Sequence, residues 1–313
     1  MKILKMILCV VIPFPLLACQ AQPYVTPQRL DKGLVVVLPG IEGRSYFNES
    51  IRDGLVKGGV DCAVEIYSWG SFWGPFYNLR ATGRNHRQAA KLADKIRQYK
   101  LDYPGRPVFL VGQSGGGAIA AWTAEKMPED KKIDGIIMIN TALSREYDLD
   151  LALKHSKRGI VNFCSNQDWV FLKLGTTAFG TMDGPNTASA GKEGFTVPID
   201  LPDSYDKLYQ IIWTKEMMMV GHYGGHLSSS SEAFIAQFVA PLVRATYWDR
   251  ALVSKLQAQD PLNEYFKKYL PGGEDDQKDA DEFKPRPAES EDEPKPSEPV
   301  DEPADMPAKV HTR

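Results

Sequence analysis

The 313-residue sequence predicts the α/β fold class, as a single domain built on a doubly wound, mostly parallel sheet flanked by helices. Three apolar runs end in glycine, and stretches with helical periodicity separate them: residues 34–40, 62–70 and 107–115. Two of these runs are almost continuously apolar, as strands are when both faces of a parallel sheet are covered. The regular alternation of strand and helix favours right-handed crossovers along one sheet.

The remaining elements continue this alternation towards the carboxyl terminus. Further strands are predicted at residues 133–140, 159–165 and 208–220. Helices are predicted at residues 50–57, 85–99, 116–126, 145–156 and 229–244. The last helix has a capping-box pattern, in which Ser229 is followed by Glu232 three positions later. Residues 171–206 are rich in glycine, serine, threonine and proline, so we expect an irregular excursion over the edge of the sheet.

The amino terminus has the pattern of an export signal. Lys2 and Lys5 precede an apolar run over residues 6–17, which is too short and too rich in proline to span a membrane. The run ends in Leu-Leu-Ala-Cys at Cys19, which resembles the lipobox of bacterial lipoproteins. The resemblance implies a lipidated Cys19 that anchors the chain in the cell envelope, at the outer membrane because Gln20 follows. The alternative is an ordinary secretory signal with a chance cysteine.

The sequence divides into five segments by composition. We expect a signal peptide at 1–18, a tether at 19–31, the α/β domain at 32–248, a helical extension at 249–271 and a disordered tail at 272–313. The tail is rich in Glu, Asp, Pro and Lys, so it cannot form a core and is either a solvating extension or a partner-binding spacer. Acidic and basic residues nearly balance, at 40 and 37, which disfavours nucleic acid as a partner.

Two cysteines remain within the predicted domain, Cys62 and Cys164. Export would permit a disulfide between them. Each cysteine lies in a different predicted strand, however, and a disulfide needs Cα atoms within about 7 Å. We therefore expect two buried free thiols, and neither has the spacing of a metal ligand.

A candidate nucleophile lies in the motif Gly112-Gln113-Ser114-Gly115-Gly116, which matches GxSxG. A buried strand runs directly into the motif and a helix leaves it, which is the context that the motif requires. Glycines at positions 112 and 116 suit a sharp turn in which strand and helix approach closely. The start of the helix would also favour negative charge that develops near Ser114.

These features resemble the α/β-hydrolase superfamily over residues 32–245. In that superfamily a serine nucleophile is followed by an acid and finally by a histidine. The resemblance implies that Asp168, directly after the strand at 159–165, is the acid, with Asp183 as the alternative. It also implies that His226 is the general base, with His222 in the same loop as the alternative.

An oxyanion hole is implied by the same resemblance. Its donors would be the backbone N–H groups of Gly115 and Ile41. The loop that contains Ile41 begins with Pro39-Gly40, where the superfamily commonly has His-Gly, so the leading histidine is missing.

The expected reaction is hydrolysis of a small carboxylic ester through an acyl-enzyme, with no metal or cofactor. Residues 67–77 are crowded with aromatic side chains, which would form a pocket wall or simply cover the edge of the sheet. No long insertion follows the strand at 133–140, which favours an esterase over an interfacial lipase. The alternatives are an acyltransferase, thioesterase or peptidase that uses the same triad, and a non-catalytic binding module anchored in the envelope.

Overall fold

The central feature is a six-stranded sheet, seen in a computed structural model that describes residues 22–168, 180–184, 187–200 and 202–259. The strands are β1 Leu34–Leu38, β2 Ala63–Ile66, β3 Val108–Gln113, β4 Gly135–Ile139, β5 Ile160–Cys164 and β6 Leu208–Ile212. Their order across the sheet is β2-β1-β3-β4-β5-β6, and every neighbouring pair is parallel. All six strands therefore end at one side, called the carboxyl end of the sheet.

Helices cover both faces of this sheet. In chain order they are α1 Pro27–Leu30, α2 Tyr46–Lys57, α3 Pro75–Arg80, α4 Thr82–Asp102, α5 Gly115–Glu125, α6 Asp150–Lys154, α7 Ala190–Glu193, α8 Glu232–Phe234, α9 Ala240–Arg244 and α10 Arg250–Gln257. A π-helical turn, Ile235–Val239, joins α8 to α9.

The core consists of two layers, one on each face of the sheet. Alternate β1 residues face opposite layers, as strand geometry requires. Leu34, Val36 and Leu38 join the layer formed with α4 and α5, whereas Val35 and Val37 join the layer formed with α2 and the last helices. The predicted α/β class with a doubly wound parallel sheet is confirmed, and it is the architecture that the α/β-hydrolase resemblance implies.

Two element boundaries predicted for the carboxyl-terminal part of the chain are wrong. Strand β6 ends at Ile212 instead of residue 220, and Lys215–Val220 forms 3₁₀ turns. The neighbouring strand β5 ends at Cys164. The N–H of Trp213 donates to the carbonyl of Cys164, and the pairing between β5 and β6 ends at this hydrogen bond. The last helix begins at Glu232 instead of residue 229.

The predicted capping box is also absent, because the hydroxyl of Ser229 donates to the carbonyl of His226 at 2.7 Å. It is therefore not available to cap the helix. In the region 171–206, the described parts are mainly irregular, apart from α7 and a 3₁₀ turn at Asp203–Lys207.

The segment from Gln22 to Leu30 is attached to the domain. The side-chain amide of Gln22 pairs with the backbone of Ile66, donating to its carbonyl at 2.9 Å and accepting its N–H at 3.2 Å. The N–H of Val64 donates to the carbonyl of Tyr24 at 3.3 Å. The expected tether at 19–31 thus includes residues that lie along the outer side of β2.

The other side of the sheet has a matching contact. On β6, the amide of Gln257 donates to the carbonyl of Ile212 at 2.8 Å and accepts its N–H at 2.7 Å. A glutamine side chain therefore pairs with the last residue of the strand at each side of the sheet.

Several predicted segments lie outside the described residues: the signal peptide, Cys19, residues 260–271 of the helical extension and the acidic tail. The part of the extension that is described contains α10. No helix in the described ranges has the length and apolar character needed to cross a membrane.

Cys62 and Cys164 are both buried and free, as predicted. Burial raises the pKa of each thiol to about 11, so neither is a thiolate near neutral pH.

Candidate active site

Ser114 occupies a strained turn between β3 and α5. Its backbone angles are φ 53° and ψ −121°, which are uncommon for a residue with a side chain. The turn is held by hydrogen bonds from the N–H of Ser114 to the carbonyl of Ile139 at 2.9 Å and from Gly117 to the carbonyl of Ser114 at 3.0 Å. Strain of this kind persists only where surrounding contacts fix it, and it is concentrated at functional sites.

The glycines of the motif allow this turn to form. A Cβ on Gly116 would lie 2.1 Å from the carbonyl oxygen of Leu38, and one on Gly112 would lie 2.4 Å from the carbonyl oxygen of Gly116. No side chain fits at either position. The reason given for these glycines on sequence grounds, a close approach of strand and helix, is therefore confirmed.

Asp168 and His226 form a buried pair at the carboxyl end of the sheet. Nδ1 of His226 lies 2.7 Å from Oδ2 of Asp168, and the carboxylate is fully buried. Because a carboxylate can only accept, Nδ1 carries the proton in this contact and Nε2 of a neutral ring is an acceptor. This is the arrangement of a general base oriented by an acid.

Asn140 is a further member of the site that sequence reasoning missed. It directly follows β4, and its side-chain amide donates to the same Oδ2 of Asp168 at 2.9 Å. Its φ of 47° is in the left-handed region, and its N–H donates to the carbonyl of Phe163 at 3.0 Å. Asparagine tolerates this conformation better than most residues, which is the one signal that the sequence offers.

The backbone around Asn140 is closely packed. A Cβ on Gly191 would lie 2.2 Å from the carbonyl carbon of Asn140. The irregular segment that contains Gly191 is therefore in close contact with Asn140, the residue that binds Asp168.

The loop that contains His226 is attached to the neighbouring strands. The amide of Gln113 donates to the carbonyl of His226 at 3.3 Å, and the hydroxyl of Ser165 donates to the carbonyl of Gly224 at 2.7 Å. Since Gln113 directly precedes Ser114, the base loop contacts the strand end that carries the candidate nucleophile. Ser165 follows β5, the strand that leads to Asp168.

His222 packs in the interior of the same loop. Its Nδ1 lies 3.3 Å from the hydroxyl of Ser228, and its ring contacts the ring of Phe234 edge-on at a centroid distance of 4.6 Å. Burial lowers the pKa of His222 to about 4, and the charge of Asp168 offsets only part of this effect. His222 is therefore a neutral packing residue, whereas His226 is the histidine that pairs with Asp168.

Asp183, the alternative acid, binds elsewhere. Its carboxylate accepts hydrogen bonds from both the N–H and the hydroxyl of Ser144. This contact joins the excursion to the loop after β4.

The loop after β1 packs directly on the candidate nucleophile. Among the nearest atoms, a Cβ on Gly40 would meet the Cβ of Ser114 at 3.2 Å, and one on Gly115 would meet Cγ2 of Ile41 at 2.9 Å. The predicted oxyanion residues Ile41 and Gly115 are therefore adjacent.

Two side chains from the segment after β2 hold the loop after β1 in place. The amide of Asn78 donates to the carbonyl of Ile41 at 2.8 Å, and the indole N–H of Trp69 donates to the carbonyl of Pro39 at 2.7 Å. Trp69 and Asn78 thus fix the loop whose leading histidine is missing.

The aromatic stretch after β2 has two kinds of member. Trp69 is buried under the loop after β1, whereas Phe72, Trp73 and Phe76 are exposed. With Tyr46, at the start of α2, these three exposed side chains form what we call the aromatic rim. All four members are largely exposed to solvent.

Within the described ranges, no three His, Cys, Asp or Glu side chains cluster as the ligands of a metal ion would.

Several solved structures resemble this chain distantly. No protein-family model matches the chain, and no curated protein matches it either. Est1E from Butyrivibrio proteoclasticus has a TM-score of 0.41 and 12% identity, over 70% of this chain and 88% of its own. A lipase-esterase related protein from Clostridium acetobutylicum has a TM-score of 0.37 and 10% identity, over 68% of this chain and 95% of its own.

A Trichoderma reesei cutinase, solved with a phosphonate inhibitor, has a TM-score of 0.34 and 11% identity, over 73% of this chain and 77% of its own. At such identities and TM-scores, none of these likenesses carries an argument about the reaction.

Proposed function

We propose that this protein is a serine hydrolase that cleaves carboxylic esters through an acyl-enzyme intermediate. Ser114 is the nucleophile, His226 the general base and Asp168 the acid that orients it. The observation that carries the proposal is the buried contact of 2.7 Å between Asp168 and His226, in a loop joined to the strand that ends at Ser114. A serine at φ 53° on a strand-to-helix turn supports it independently.

Each half of the proposed reaction has two proton transfers through one nitrogen, Nε2 of His226. Oγ of Ser114 attacks the ester carbonyl carbon while its proton passes to Nε2 of His226. The imidazolium then gives that proton to the leaving alcohol as the carbon–oxygen bond breaks. Water attacks the acyl-enzyme by the same route and releases the acid, which restores the hydroxyl of Ser114.

Negative charge on the carbonyl oxygen would be stabilised by two backbone donors. We assign these to the N–H groups of Gly115 and Ile41, whose adjacency supports the assignment. The first turn of α5 begins at Gly115, so its dipole adds to this effect.

We also propose that the chain is anchored in the bacterial envelope through lipidated Cys19. The lipobox-like sequence supports this, and Gln20 favours the outer membrane. The acidic tail would then be a solvated extension of an anchored enzyme.

The test uses residues 19–313 with Cys19→Ala, which keeps the chain free of lipid. A fluorophosphonate probe should label this protein, and Ser114→Ala should abolish the labelling without changing the thermal unfolding midpoint by more than a few degrees. A series of p-nitrophenyl esters of increasing chain length, with matching thioesters and peptides, identifies the preferred bond. No labelling of the folded protein would overturn the proposal and favour a non-catalytic binding module.

A further inference from the structure

The first described residue of the chain, Gln22, lies at the carboxyl end of the sheet. Tyr24 pairs with Val64 in the middle of β2, and Gln22 pairs with Ile66, the last residue of β2. The segment therefore runs antiparallel to β2 when followed from residue 22 onwards. Read back from Tyr24 to Gln22, the chain approaches the end of the sheet where the candidate active site lies.

This segment is firmly attached to the domain. The guanidinium of Arg29 donates to the carbonyls of Val60 at 2.7 Å and Cys62 at 2.9 Å. The guanidinium carbons of Arg29 and Arg52 lie 5.3 and 5.6 Å from the centre of the Tyr24 ring, close enough for cation–π attraction. The point at which the chain leaves the domain is thus fixed near Gln22.

Only two residues, Gln20 and Ala21, separate Gln22 from Cys19. A fully extended chain spans about 3.5 Å per residue, so chain length alone limits the distance between Cys19 and Gln22 to about 10 Å. A lipid on Cys19 would therefore hold the carboxyl end of the sheet close to the bilayer surface. A long flexible tether would impose no such orientation.

The aromatic rim lies at this same end. Phe72, Trp73 and Phe76 are 88%, 70% and 60% exposed and follow β2, while Tyr46 is 74% exposed and follows β1. The rings of Phe72 and Trp73 are in contact, with centroids 4.7 Å apart, and large exposed aromatic side chains in contact with each other mark an interaction surface. Aromatic side chains, Trp and Tyr above all, are enriched at the interface between a bilayer and water.

We propose that the aromatic rim inserts into the surface of the bilayer that anchors Cys19, so that the active site opens towards the membrane. The partner that the aromatic rim binds is thus the surface of a phospholipid bilayer. This inference rests on the proposed function where it names a substrate class, and it replaces the small ester expected from the sequence: the substrates are esters carried by membrane lipids, which reach Ser114 without crossing the aqueous phase.

The attraction is apolar in this proposal, because the rim itself consists of uncharged side chains. Binding should therefore be similar for zwitterionic and anionic vesicles, and it should change by less than about twofold between 0.1 and 0.5 M salt, where charge attraction is screened.

The binding test uses residues 19–313 with Cys19→Ala and vesicles of phosphatidylcholine. Replacing both Phe72→Ser and Trp73→Ser should weaken co-sedimentation by about tenfold or more. The matched control is Leu101→Ser, since Leu101 is 58% exposed near the end of α4, at the opposite end of the sheet. It should leave vesicle binding unchanged within about twofold.

A second measurement reports insertion directly. Vesicles that contain brominated lipid should quench the fluorescence of Trp73, and Trp73→Phe should remove most of this quenching while it keeps binding. No vesicle binding, or equal binding by the double variant, would overturn the proposal. A dimer in sedimentation velocity that the double variant abolishes would also overturn it, because the rim would then bind a second copy.

The test separates the docking surface from the proposed function. Hydrolysis of soluble p-nitrophenyl acetate should be unchanged in the double variant, whereas hydrolysis of a vesicle-borne lipid ester should fall with binding. Vesicle binding without any hydrolysis would refute the enzyme and leave the docking surface intact.

Discussion

Nδ1 of His226 lies 2.7 Å from Oδ2 of Asp168, although the two residues are 58 positions apart in the sequence. The contact joins the loop after β6 to the end of β5, and both partners are buried. It fixes Nδ1 as the ring nitrogen that carries the proton, and it leaves Nε2 as the nitrogen that can accept a proton during the reaction. The first two predictions concern this pair.

Asp168→Asn should lower kcat/KM for a soluble ester by roughly 10³- to 10⁴-fold, because an amide can also donate and so favours the wrong imidazole tautomer. Asp183→Asn is the control, since Asp183 binds Ser144 and should leave kcat/KM within about threefold. Steady-state kinetics on both variants measure the effect. Equal losses, or a loss only in the control, would exclude Asp168 as the acid.

Asn140→Gly should lower kcat by roughly tenfold to a hundredfold, the equivalent of one hydrogen bond to a charged group. Glycine keeps the left-handed backbone and removes only the amide that binds Asp168. KM should change little, since Asn140 acts through Asp168. The control Asn162→Ala removes a buried hydrogen bond to the carbonyl of Ala190, so it should lower stability and leave kcat unchanged.

Gly116→Ala should destabilise the fold by about 3 kcal/mol or prevent folding, because the new methyl group would overlap the carbonyl of Leu38. Gly83→Ala is the matched control. Gly83 is in α4, and the nearest atom to a new Cβ is the end of the Arg87 side chain at 3.8 Å. That variant should gain up to about 1 kcal/mol in the free energy of unfolding, measured in urea. Equal stability of the two variants would contradict the close packing at the turn.

His222 should make the fold less stable in acid. Its pKa falls from 6.5 in the unfolded chain to about 4 in the fold. Between these values the unfolded chain binds a proton that the folded chain does not, so the free energy of unfolding falls as pH decreases from 6.5 to 4. The loss is at most ~3 kcal/mol.

Urea unfolding of the wild type and of His222→Gln, followed between pH 7.5 and 4, isolates this contribution. The glutamine variant should show a shallower decline. Parallel curves would mean that His222 does not titrate in this window.

The sequence was most informative where one residue type alone can satisfy the backbone. Strand β3, its glycine turn and α5 were predictable because no side chain fits at Gly112 or Gly116. Strands β1, β3 and β4 were predictable because their near-continuous apolar character follows from burial on both faces.

Contacts between distant parts of the chain were not predictable unless the α/β-hydrolase resemblance implied them, as it did for Asp168 and His226. The role of Asn140 depends on its left-handed backbone and on a carboxylate 28 positions away, and neither leaves a sequence pattern. The end of β6 at Ile212 is set by where β5 ends, so the apolar residues up to Val220 gave a false extension. Ser229 looked like a helix cap, yet its hydroxyl is used by the base loop.

The side-chain amides of Gln22 and Gln257 pair with the backbone N–H and carbonyl of an outer strand, at opposite sides of the sheet. Each amide makes the two hydrogen bonds that one residue of an additional strand would make. A parallel sheet with bare outer strands invites other chains to add to it, and such growth leads to aggregation. By occupying the N–H and carbonyl of Ile66 and Ile212, the two glutamines block that growth beside the candidate active site. Self-association by strand addition is thus opposed at both margins of the sheet.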